Sequence, residues 1–409
     1  MTRLLQNSNK GTVMSKLEEL ILKYCPDGVE WSTIGEVCQK VFAGGTPTSS
    51  NSSYYGGDIP WLRSGEVNFN EITSTEKTIT EAGYNSSSAR WVESQSVLVA
   101  MTGATVARSA ITMIELTANQ SVCALVPIRE ILNYRFLYYW VSKSYLQMKG
   151  MAQGALTSLN LNLIKSIEIP VPPLPVQEEI VRVLDTFTEL QAELQAELQK
   201  RLQQYNYYRD NLLSFEGRED VEWKKLGEIG KVCMCKRIMK DQTSSSGDIP
   251  FFKIGTFGGN ADAYIPQELY EEYKRKYSYP NKGDILISAA GTIGRTVVFD
   301  GSPSYFQDSN IVWLKHNESV VLNSYLRYCY TQNPWAVSTG GTIARLYNDN
   351  ILNAVIPVPS LSEQQKIVDA LDRFDTFTTD LTAGLPAEIE KRRQQYEYYR
   401  DKLLTFKRK

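Results

Sequence analysis

An internal duplication constrains this chain more than any other feature of its sequence. QQYNYYRDNLLSF (203–215) returns as QQYEYYRDKLLTF (394–406), with ten of thirteen positions identical. Four more pairs keep the same order: VEWSTIGEV (29–37) with VEWKKLGEI (221–229), GDIPW (57–61) with GDIPF (247–251), ATVAR (104–108) with GTIGR (291–295), and IPVPPLPVQEEIVRVLD (169–185) with IPVPSLSEQQKIVDALD (356–372). All offsets lie between 187 and 192 residues. Two copies at this period predict a duplicated domain-plus-helix unit rather than a solenoid.

The order of these segments also predicts where the two ends of the chain lie. KLEELILKYCPDG (16–28) precedes the first VEW, and YYRDNLLSF with its EGRED turn precedes the second. The final YYRDKLLTF stops where such a helix would again lead into a VEW. We therefore predict a pseudo-two-fold, circular arrangement in which the short N-terminal helix docks beside the C-terminal one. Residues 1–14 are predicted to be a polar leader, with Met14 as an alternative start.

Residues 175–215 are predicted to form one long helix. Apolar or aromatic residues recur there at spacings of four and three, with Gln191 and Arg201 as polar exceptions, which is typical of a coiled-coil seam. The first copy has Ile180, Leu184, Phe187, Leu194, Leu198, Tyr205, Tyr208 and Leu212; the second has Ile367, Leu371, Phe374, Leu381, Ile389, Tyr396 and Leu403. AGLP (383–386) interrupts the second copy, since Gly384 and Pro386 end one helix and begin another. The two helical regions most simply pair antiparallel.

The repeated tyrosines divide into two sets. Tyr205, Tyr208 and Leu212 share one helical face, as do Tyr396, Tyr399 and Leu403, which predicts packing against a globular domain. Tyr207 and Tyr398, with Arg209 and Arg400, point to a second interpretation, a docking surface for another subunit.

The segments between the helices are predicted to be mixed domains of the α+β class. Strands are expected at 96–101, 122–128, 284–290 and 310–315, and helices at 134–149 and 324–333. The whole fold is thus two mixed α/β domains separated by two long helices that form an antiparallel coiled coil.

Composition excludes several classes of protein. The chain has 409 residues, 42% hydrophobic and 22% charged, and no apolar run approaches the roughly 20 residues that cross a bilayer. The N-terminal segment does not resemble a secretory signal, and six scattered cysteines are expected to be reduced, so the expected location is cytoplasmic. The net charge of −2 requires any attraction to nucleic acid to be local or supplied by a partner.

A search for catalytic motifs favours a non-catalytic protein. GxxxxGK[ST], GxSxG and HExxH are absent, and the one histidine, His316, cannot build a metal cluster by itself. Cys233 and Cys235 form a CxC pair without further ligands, which is a poor zinc site. GTFGG (255–259) and NPWA (333–336) lack the surroundings of nucleotide-binding or methyltransferase motifs.

Two related heads on a helical spacer fit a target with two separated parts, and DNA is such a target because its grooves recur every 34–36 Å or so. The second head carries KRIMK (236–240) and YKRKY (273–277), and the first carries GGTPTSSNSSYYGG (44–57). These residue types contact phosphates and base edges, although each segment is more often a solvated face or a plain loop. The alternatives are a protein–protein scaffold without DNA contact and an enzyme with an unrecognised site.

In this combination of motifs the sequence resembles the specificity subunit of type I restriction–modification systems. The resemblance runs from KLEELILKYCPDGVEW to the final YYRDKLLTF and includes the two VEW starts, the GDIP pair, the GTIGR-like turn, the two IPVP joints and the doubled YYRDxLL. It implies two target-recognition domains that each read half of a bipartite asymmetric DNA site, with helices that set the spacer. The domains it implies are 1–28 (leader and short helix), 29–174 (target recognition), 175–220 (spacer helix and turn), 221–360 (target recognition) and 361–409 (spacer helices).

The resemblance also implies partners and cofactors. The chain itself would have no catalysis and no cofactor. It would recruit two modification subunits, which carry S-adenosylmethionine and methylate adenine, and these would support ATP- and Mg-dependent restriction subunits. Ala104 and Ala107 replace the glycines of GTIGR, which predicts a differently shaped turn in the first head.

The candidate DNA-binding residues are hydroxyl, amide and charged side chains in the loops of the two heads. They are Thr46, Thr48, Ser49, Arg63, Ser64, Glu66, Thr105 and Arg108 in the first head, and Lys236, Arg237, Lys240, Lys253, Thr256, Arg275, Arg295 and Arg345 in the second. Arg63 and Lys253 follow the repeated GDIP strand at nearly equivalent places, so each is expected to enter a groove.

Overall fold

The computed structural model describes residues 9–152, 158–337, 345–379 and 384–409. The chain divides into two units: residues 1–194 with 389–409, and residues 195–388. Each unit therefore combines a mixed domain with pieces of the long helices. Residues 1–8 of the predicted leader, and Leu381 and Ala383 of the predicted seam and break, lie outside the described residues.

The first unit is built from short strands and helices in alternation. In chain order its elements are α1 (Asn9–Tyr24), β1 (Trp31–Thr33), α2 (Ile34–Val37), β2 (Cys38–Ala43), β3 (Tyr55–Leu62), β4 (Asn70–Ile72), β5 (Lys77–Ile79), α3 (Glu81–Asn85), β6 (Trp91–Val92), β7 (Ser96–Ala100), β8 (Ser109–Thr112), β9 (Leu116–Ala118), β10 (Val122–Pro127), α4 (Tyr134–Lys143), α5 (Tyr145–Met151), α6 (Leu161–Lys165), β11 (Glu168–Pro170) and the start of α7 (Leu174–Leu212). Within the described residues the sheets are β2-β10-β7-β8-β4, β5-β3-β9-β6 and β1-β11.

The second unit repeats this plan in a reduced form. It contains the end of α7, then β12 (Glu222–Lys225), α8 (Leu226–Ile229), β13 (Lys231–Met234), β14 (Ile249–Phe252), β15 (Tyr264–Ile265), α9 (Gln267–Lys276), β16 (Ile285–Ser288), β17 (Thr296–Val298), β18 (Tyr305–Phe306), β19 (Ile311–Lys315), α10 (Asn323–Thr331), α11 (Asn348–Leu352), β20 (Val355–Val358), α12 (Leu361–Thr379) and the start of α13 (Leu385–Leu403). Its sheets, within the described residues, are β13-β19-β16-β17, β15-β14-β18 and β12-β20. The predicted α+β class is confirmed.

A buried glutamine fixes the start of the long helix in each unit. The side-chain amide of Gln177 donates to the carbonyls of Ile131 and Pro172 (2.8 and 2.7 Å) and accepts from the N–H of Asn133 (2.8 Å). Gln364 repeats this set: it donates to the carbonyls of Val320 and Pro359 (2.8 Å each) and accepts from the N–H of Leu322 (2.9 Å). Both side chains are fully buried, so each satisfies main-chain groups that have no access to water.

The helices pair within each unit through the repeated aromatic residues. In the first unit Phe187 of α7 stacks on Tyr399 of α13, with ring centres 5.2 Å apart. In the second unit Tyr208 of α7 stacks on Phe374 of α12 at 5.4 Å. Each contact joins α7 to a helix of the second copy within one unit. α13 begins at Leu385, so the predicted restart of the helix at the AGLP segment is confirmed.

Both ends of the described chain meet in the first unit. The N–H of Val29 donates to the carbonyl of Lys407 (2.9 Å), and the N–H of Lys409 donates to the carbonyl of Val29 (3.0 Å). Leu17 of α1 shares a buried core with Leu403 of α13. The predicted docking of the N-terminal helix beside the C-terminal one is confirmed. α1 begins at Asn9, inside the segment predicted to be a polar leader.

The GTIGR-like turns end in the same conformation in both units, although the closing hydrogen bond joins residues seven apart in the first and six apart in the second. Gly294 has a φ of +79° and its N–H donates to the carbonyl of Ser288 (2.9 Å); Ala107 has a φ of +68° and donates to the carbonyl of Ala100 (2.8 Å). At the other end of the turn the positive φ falls on Gly103 rather than on Ala104, the residue aligned with Gly291. The predicted difference in shape is therefore confined to the first residues of the turn.

Candidate nucleic-acid interface

Each head brings the ends of two parallel strands to one edge. In the first, β3 runs parallel to β9, and Leu62 lies opposite Ala118; in the second, β14 runs parallel to β18, and Phe252 lies opposite Phe306. Loops that leave the carboxyl ends of parallel strands emerge side by side. Candidate residues from distant parts of the sequence therefore gather there.

In the first head the residues after β3 form a tight turn held by Glu66. Its carboxylate accepts from the N–H of Arg63 (2.9 Å) and from the N–H of Glu76 (2.9 Å). The guanidinium of Arg63 binds the carboxylate of Glu76 and is half-exposed. Arg63 can therefore bind a new partner at the edge if its guanidinium releases the carboxylate of Glu76. Glu66 shapes the turn.

The second head repeats this turn after β14 with different side chains. The hydroxyl of Thr256 accepts from the N–H of Lys253 (3.1 Å), and Lys253 pairs with Asp262 (2.8 Å). Thr256 therefore takes the position of Glu66, and Lys253 that of Arg63. The structural equivalence predicted for Arg63 and Lys253 is confirmed; their contact with DNA stays a prediction.

A second turn joins the first at each edge. The hydroxyl of Thr105 donates to the carbonyl of Ser64 (2.8 Å), and the guanidinium of Arg108 donates to the side-chain carbonyl of Asn68 (2.8 Å). In the second head Arg295 is exposed and donates to the carbonyl of Phe257 (2.9 Å). Both arginines thus leave the GTIGR-like turn and meet the turn that follows the strand.

The loop of Thr46 reaches the same edge in the first head. Gly44 and Gly45 allow it, because a Cβ on Gly44 would lie 2.1 Å from the carbonyl oxygen of Ala118. The hydroxyl of Thr46 donates to the side-chain carbonyl of Gln120, and Thr48 and Ser49 follow, fully exposed.

The remaining candidates of the second head are surface cations. Arg237 pairs with Asp308 (2.9 Å), and Arg345 donates to the carbonyl of Ser309 (2.6 Å), so both lie beside the end of β18. Lys236 places its ammonium 5.2 Å from the ring centre of Tyr277. Lys240 and Arg275 are exposed on a short turn and on α9, outside the group gathered at the strand ends.

Sequence reasoning missed the amide residues that follow the second parallel strand. Asn119 follows β9 and its N–H donates to the carbonyl of Leu62 (2.9 Å); Gln307 follows β18 and donates in the same way to the carbonyl of Phe252 (2.9 Å). Side-chain amides are the groups that bind adenine edges in a bidentate way. The shared Asn/Gln after an apolar strand was the available signal.

The duplicated tyrosine segments present one matched surface each. Tyr207 and Tyr398 are 66% and 63% exposed, whereas Tyr205 and Tyr396 pack against the domain cores. The guanidinium carbons of Arg209 and Arg400 lie 5.8 Å from the ring centres of Tyr205 and Tyr396. The predicted packing against the domain cores is confirmed for all three residues of the second copy and for Tyr205 and Leu212, but Tyr208 is 41% exposed and stacks on Phe374 of α12 instead. The docking role of the exposed tyrosines remains a prediction.

The cysteine thiols of the described residues are buried and unreactive. All six cysteines are buried, free thiols, and burial raises the pKa of Cys38, Cys235 and Cys329 to about 12, so these thiols stay protonated at neutral pH. Within the described ranges, histidine, cysteine and acidic residues form no group of three that could hold a metal ion. The helices of the same ranges include none with the length and apolarity of a membrane span.

Known proteins share both the sequence pattern and the fold. The family model for the type I restriction modification DNA specificity domain matches residues 26–204 and 218–391. A Haemophilus influenzae protein named as a type I restriction enzyme specificity subunit is 54% identical over 68% of this chain and 74% of its own length. The Escherichia coli EcoR124I/EcoR124II specificity subunit is 33% identical over 66% of this chain and 70% of its own.

Two solved structures show the same fold at low sequence identity. A chain from a study of complex assembly and conformational transition in a type I restriction–modification system superposes with a TM-score of 0.59, at 18% identity, over 93% of this chain and 98% of that chain. The S subunit of such a system from M. genitalium gives 0.53, at 15% identity, over 93% and 97%. The chain described here therefore belongs to the specificity-subunit family of type I restriction–modification systems, whose role is recognition of the DNA target.

Proposed function

We propose that each head uses the edge at its parallel strand ends to read one half of a bipartite asymmetric DNA site. The observation that supports this most is the matched pair of edges: Arg63 and Lys253 leave the same strand and the same turn in the two heads. Their neighbours differ, with Glu66 in one head and Thr256 in the other. Equivalent frames with different side chains are what two unlike half-sites require.

In this proposal the helices α7, α12 and α13 set the number of unread base pairs between the half-sites. The chain has no catalysis or cofactor of its own. Tyr207, Arg209, Tyr398 and Arg400 dock two modification subunits, which carry S-adenosylmethionine and methylate adenine N6. ATP and Mg bind to the restriction subunits.

Charge supports local contacts rather than a broad attraction. The cations at the edges are paired with carboxylates, Arg63 with Glu76, Lys253 with Asp262 and Arg237 with Asp308. A phosphate or a guanine edge can replace such a carboxylate, so binding exchanges one charged partner for another. We expect shallow salt dependence for the chain alone and a steeper one once the modification subunits add their own cations.

Single substitutions in each head test the proposal in the assembled modification complex. Arg63→Ala and Lys253→Ala should each weaken specific DNA binding by about 1–3 kcal/mol if they contact bases, and each should relax methylation at one half-site only. Lys40→Ala is the matched control. It also removes a surface cation that is paired with a carboxylate, that of Glu93 (2.7 Å), but Lys40 lies on β2 and not in the loops that form the edge.

Mapping of methylated adenines across a genome separates the outcomes. Equal losses of affinity for specific and nonspecific DNA would mean that Arg63 and Lys253 contact phosphates and not bases. Unchanged binding and methylation in both variants would exclude these edges, and an assembled complex without any salt-dependent DNA binding would favour the protein–protein scaffold instead.

A further inference from the structure

The two units bury one matched tryptophan to different extents. Trp31 of β1 lies opposite Pro170 of β11, and Trp223 of β12 lies opposite Pro357 of β20, so the two occupy the same position of the same two-stranded sheet. Trp31 is half-buried, whereas Trp223 is 51% exposed.

In the first unit the chain's own C-terminal segment covers the tryptophan. The guanidinium of Arg408 lies 5.6 Å from the ring centre of Trp31 and donates to the carboxylate of Glu168 (2.7 Å). Trp140 also packs against Trp31, edge-on, with ring centres 5.5 Å apart. Trp31 is thus enclosed by a cation and a second indole.

In the second unit each of these covering groups is missing or replaced. Cys329 takes the position of Trp140, since each follows the tyrosine that binds α7 or α12, and Val355 takes that of Glu168. Gly217, with a positive φ, takes the position of Arg408, since each lies two residues after the repeated phenylalanine, Phe215 or Phe406.

What remains is an open cavity of about 240 Å³, which we call the Trp223 cavity. Trp223, Phe215 and Pro334 are among its apolar walls, and the acidic Asp210 and Glu216 also line it. Its rim includes Val355, which is 43% exposed.

We propose that the Trp223 cavity binds an arginine side chain carried by a basic segment of a partner protein. The first argument for this occupant comes from the first unit, where Arg408 of the basic segment Lys407–Lys409 covers the matched tryptophan. The second argument is the charge of the cavity: Glu216 on its wall complements a cation, which also gains from the face of an exposed indole. The proposal is independent of how the heads read DNA.

Arginine is the favoured cation over lysine. A guanidinium is planar and weakly hydrated, so it stacks on an indole while its N–H groups still bind a carboxylate such as that of Glu216. Asp210 is already held by the guanidinium of Arg209 (2.7 Å) and by the side-chain amide of Gln332 (2.8 Å). A lysine ammonium gives up more hydration for the same contact.

The test uses the full chain labelled with 5-fluorotryptophan and three short peptides. The seven tryptophans give seven fluorine resonances, and Trp223→Phe identifies the one of interest. The probes are acetyl-Lys-Arg-Lys-amide, the same peptide with lysine in the middle, and the same with alanine. We expect the arginine peptide to shift the Trp223 resonance and to bind about five-fold more tightly than the alanine peptide, with the lysine peptide between them.

A second variant sharpens the result. Val355→Glu restores the carboxylate that Glu168 provides in the first unit, and should tighten the arginine peptide about three-fold. Trp91, which is 45% exposed in the first head, is the internal control and should not shift.

Three outcomes would overturn the proposal. They are a Trp223 resonance that no peptide moves, an alanine peptide that binds as well as the arginine peptide, and a resonance that moves with protein concentration alone. The second would mean an apolar occupant, and the third would mean that a second copy of the chain covers the cavity.

Discussion

The turn after β3 in the first unit and the turn after β14 in the second make the same hydrogen bonds with different chemistry. Glu66 accepts the N–H of Arg63 with a carboxylate, and Thr256 accepts the N–H of Lys253 with a hydroxyl. In both, the N–H of the capping residue donates back to the first residue's carbonyl at 3.0 Å. The main chain needs an oxygen atom at this position, not a charge, so the side chains at the edge can differ while the frame stays the same.

The joints between domain and helix show the opposite behaviour. Gln177 and Gln364 are identical residues with matching partners, because three main-chain groups must be satisfied by one side chain of the right length and polarity. The two copies therefore keep the same residue where buried main-chain groups need a partner, and they differ in sequence where loops face solvent. The predictions below test this division, from the joints outward.

Removal of the buried amides should have the largest effect. Gln177→Ala or Gln364→Ala leaves two carbonyls and one N–H unpaired in the interior, and should destabilise its own unit by about 3 kcal/mol or more. Hydrogen exchange read separately in the two units measures the loss, since a chain of two units need not unfold in one step. Glu178→Ala and Gln365→Ala are exposed neighbours and should cost less than about 0.5 kcal/mol. A loss seen with only one of the two alanine variants would mean that the joints are not equivalent.

The GTIGR-like turns should respond unequally to exchanged residues. Gly294→Ala adds a methyl group 3.0 Å from the Oδ1 of Asn333 and 3.2 Å from the indole of Trp335, at a φ of +79°, and should cost about 2 kcal/mol. Ala107→Gly relieves backbone strain but removes a fully buried methyl group, so its net effect should lie within about 0.5 kcal/mol of zero.

Gly283→Ala serves as the control for the Gly294 variant. Its φ is +94°, and no atom lies within 4 Å of the added methyl group, so it reports backbone strain without steric contact. Thermal unfolding measures the stability of the three variants. A loss of stability from Gly283→Ala as large as that from Gly294→Ala would contradict a steric cost at Gly294.

The sequence predicted the repeated frame well because the frame depends on local signals. The heptad-like spacing of α7, the Gly384–Pro386 restart and the strands that contain the GDIP segments depend on signals within a few residues. The duplication doubled the evidence for the helix and for the strands. The duplication also predicted that the two ends of the chain meet, which depends on order along the chain and not on side-chain detail.

The reading edges were harder to predict because they are assembled by tertiary contacts. Arg63, Thr105 and Asn119 lie far apart in sequence and meet through a parallel strand pair that alternation alone cannot specify. Glu66 was predicted to bind DNA. A carboxylate can accept hydrogen bonds either from a DNA base or from the N–H groups of its own turn, and the sequence does not show which of these groups it faces. Ala107 looked like a change of turn shape, yet the surrounding hydrogen bonds hold it in the conformation of Gly294.

The tyrosine hydroxyls that tie each domain to its helix should give a smaller, graded effect. Tyr139 donates to Asp185 (2.6 Å) and Tyr328 donates to Asp372 (2.5 Å); burial raises the pKa of both tyrosines, so both are donors at neutral pH. Asp185 is the less exposed acceptor, 24% against 52%. Tyr139→Phe should therefore cost about 1.5 kcal/mol and Tyr328→Phe about half as much. Tyr207→Phe changes an exposed hydroxyl and should cost nothing measurable; a larger loss from Tyr328→Phe than from Tyr139→Phe would contradict the ranking by exposure.

The N-terminal helix should give a small effect that depends on pH and differs between the units. Glu179 of α7 is 3% exposed and binds Arg182 (2.6 Å) and Lys16 of α1 (2.8 Å), whereas the aligned residue in the second unit is Lys366. The hydrogen bond from the Arg182 guanidinium, and after it that from Lys16, hold the pKa of Glu179 below its ordinary value. A lowered pKa in the folded state adds stability above the unfolded value, near 4.5, and this stability is lost as the pH falls through the folded pKa.

Acid should therefore loosen the contact between α1 and α7. Hydrogen exchange of residues 16–24 between pH 6 and pH 3 should show protection that falls below about pH 4.5, by about 1 kcal/mol in opening free energy. Glu179→Gln should flatten this pH dependence, and Lys366→Gln, the matched control, should leave the second unit unchanged. If the protection of α1 in Glu179→Gln still falls with acid as in the unaltered chain, the carboxylate does not hold the helix, and the burial of Leu17 against Leu403 would be the contact that does.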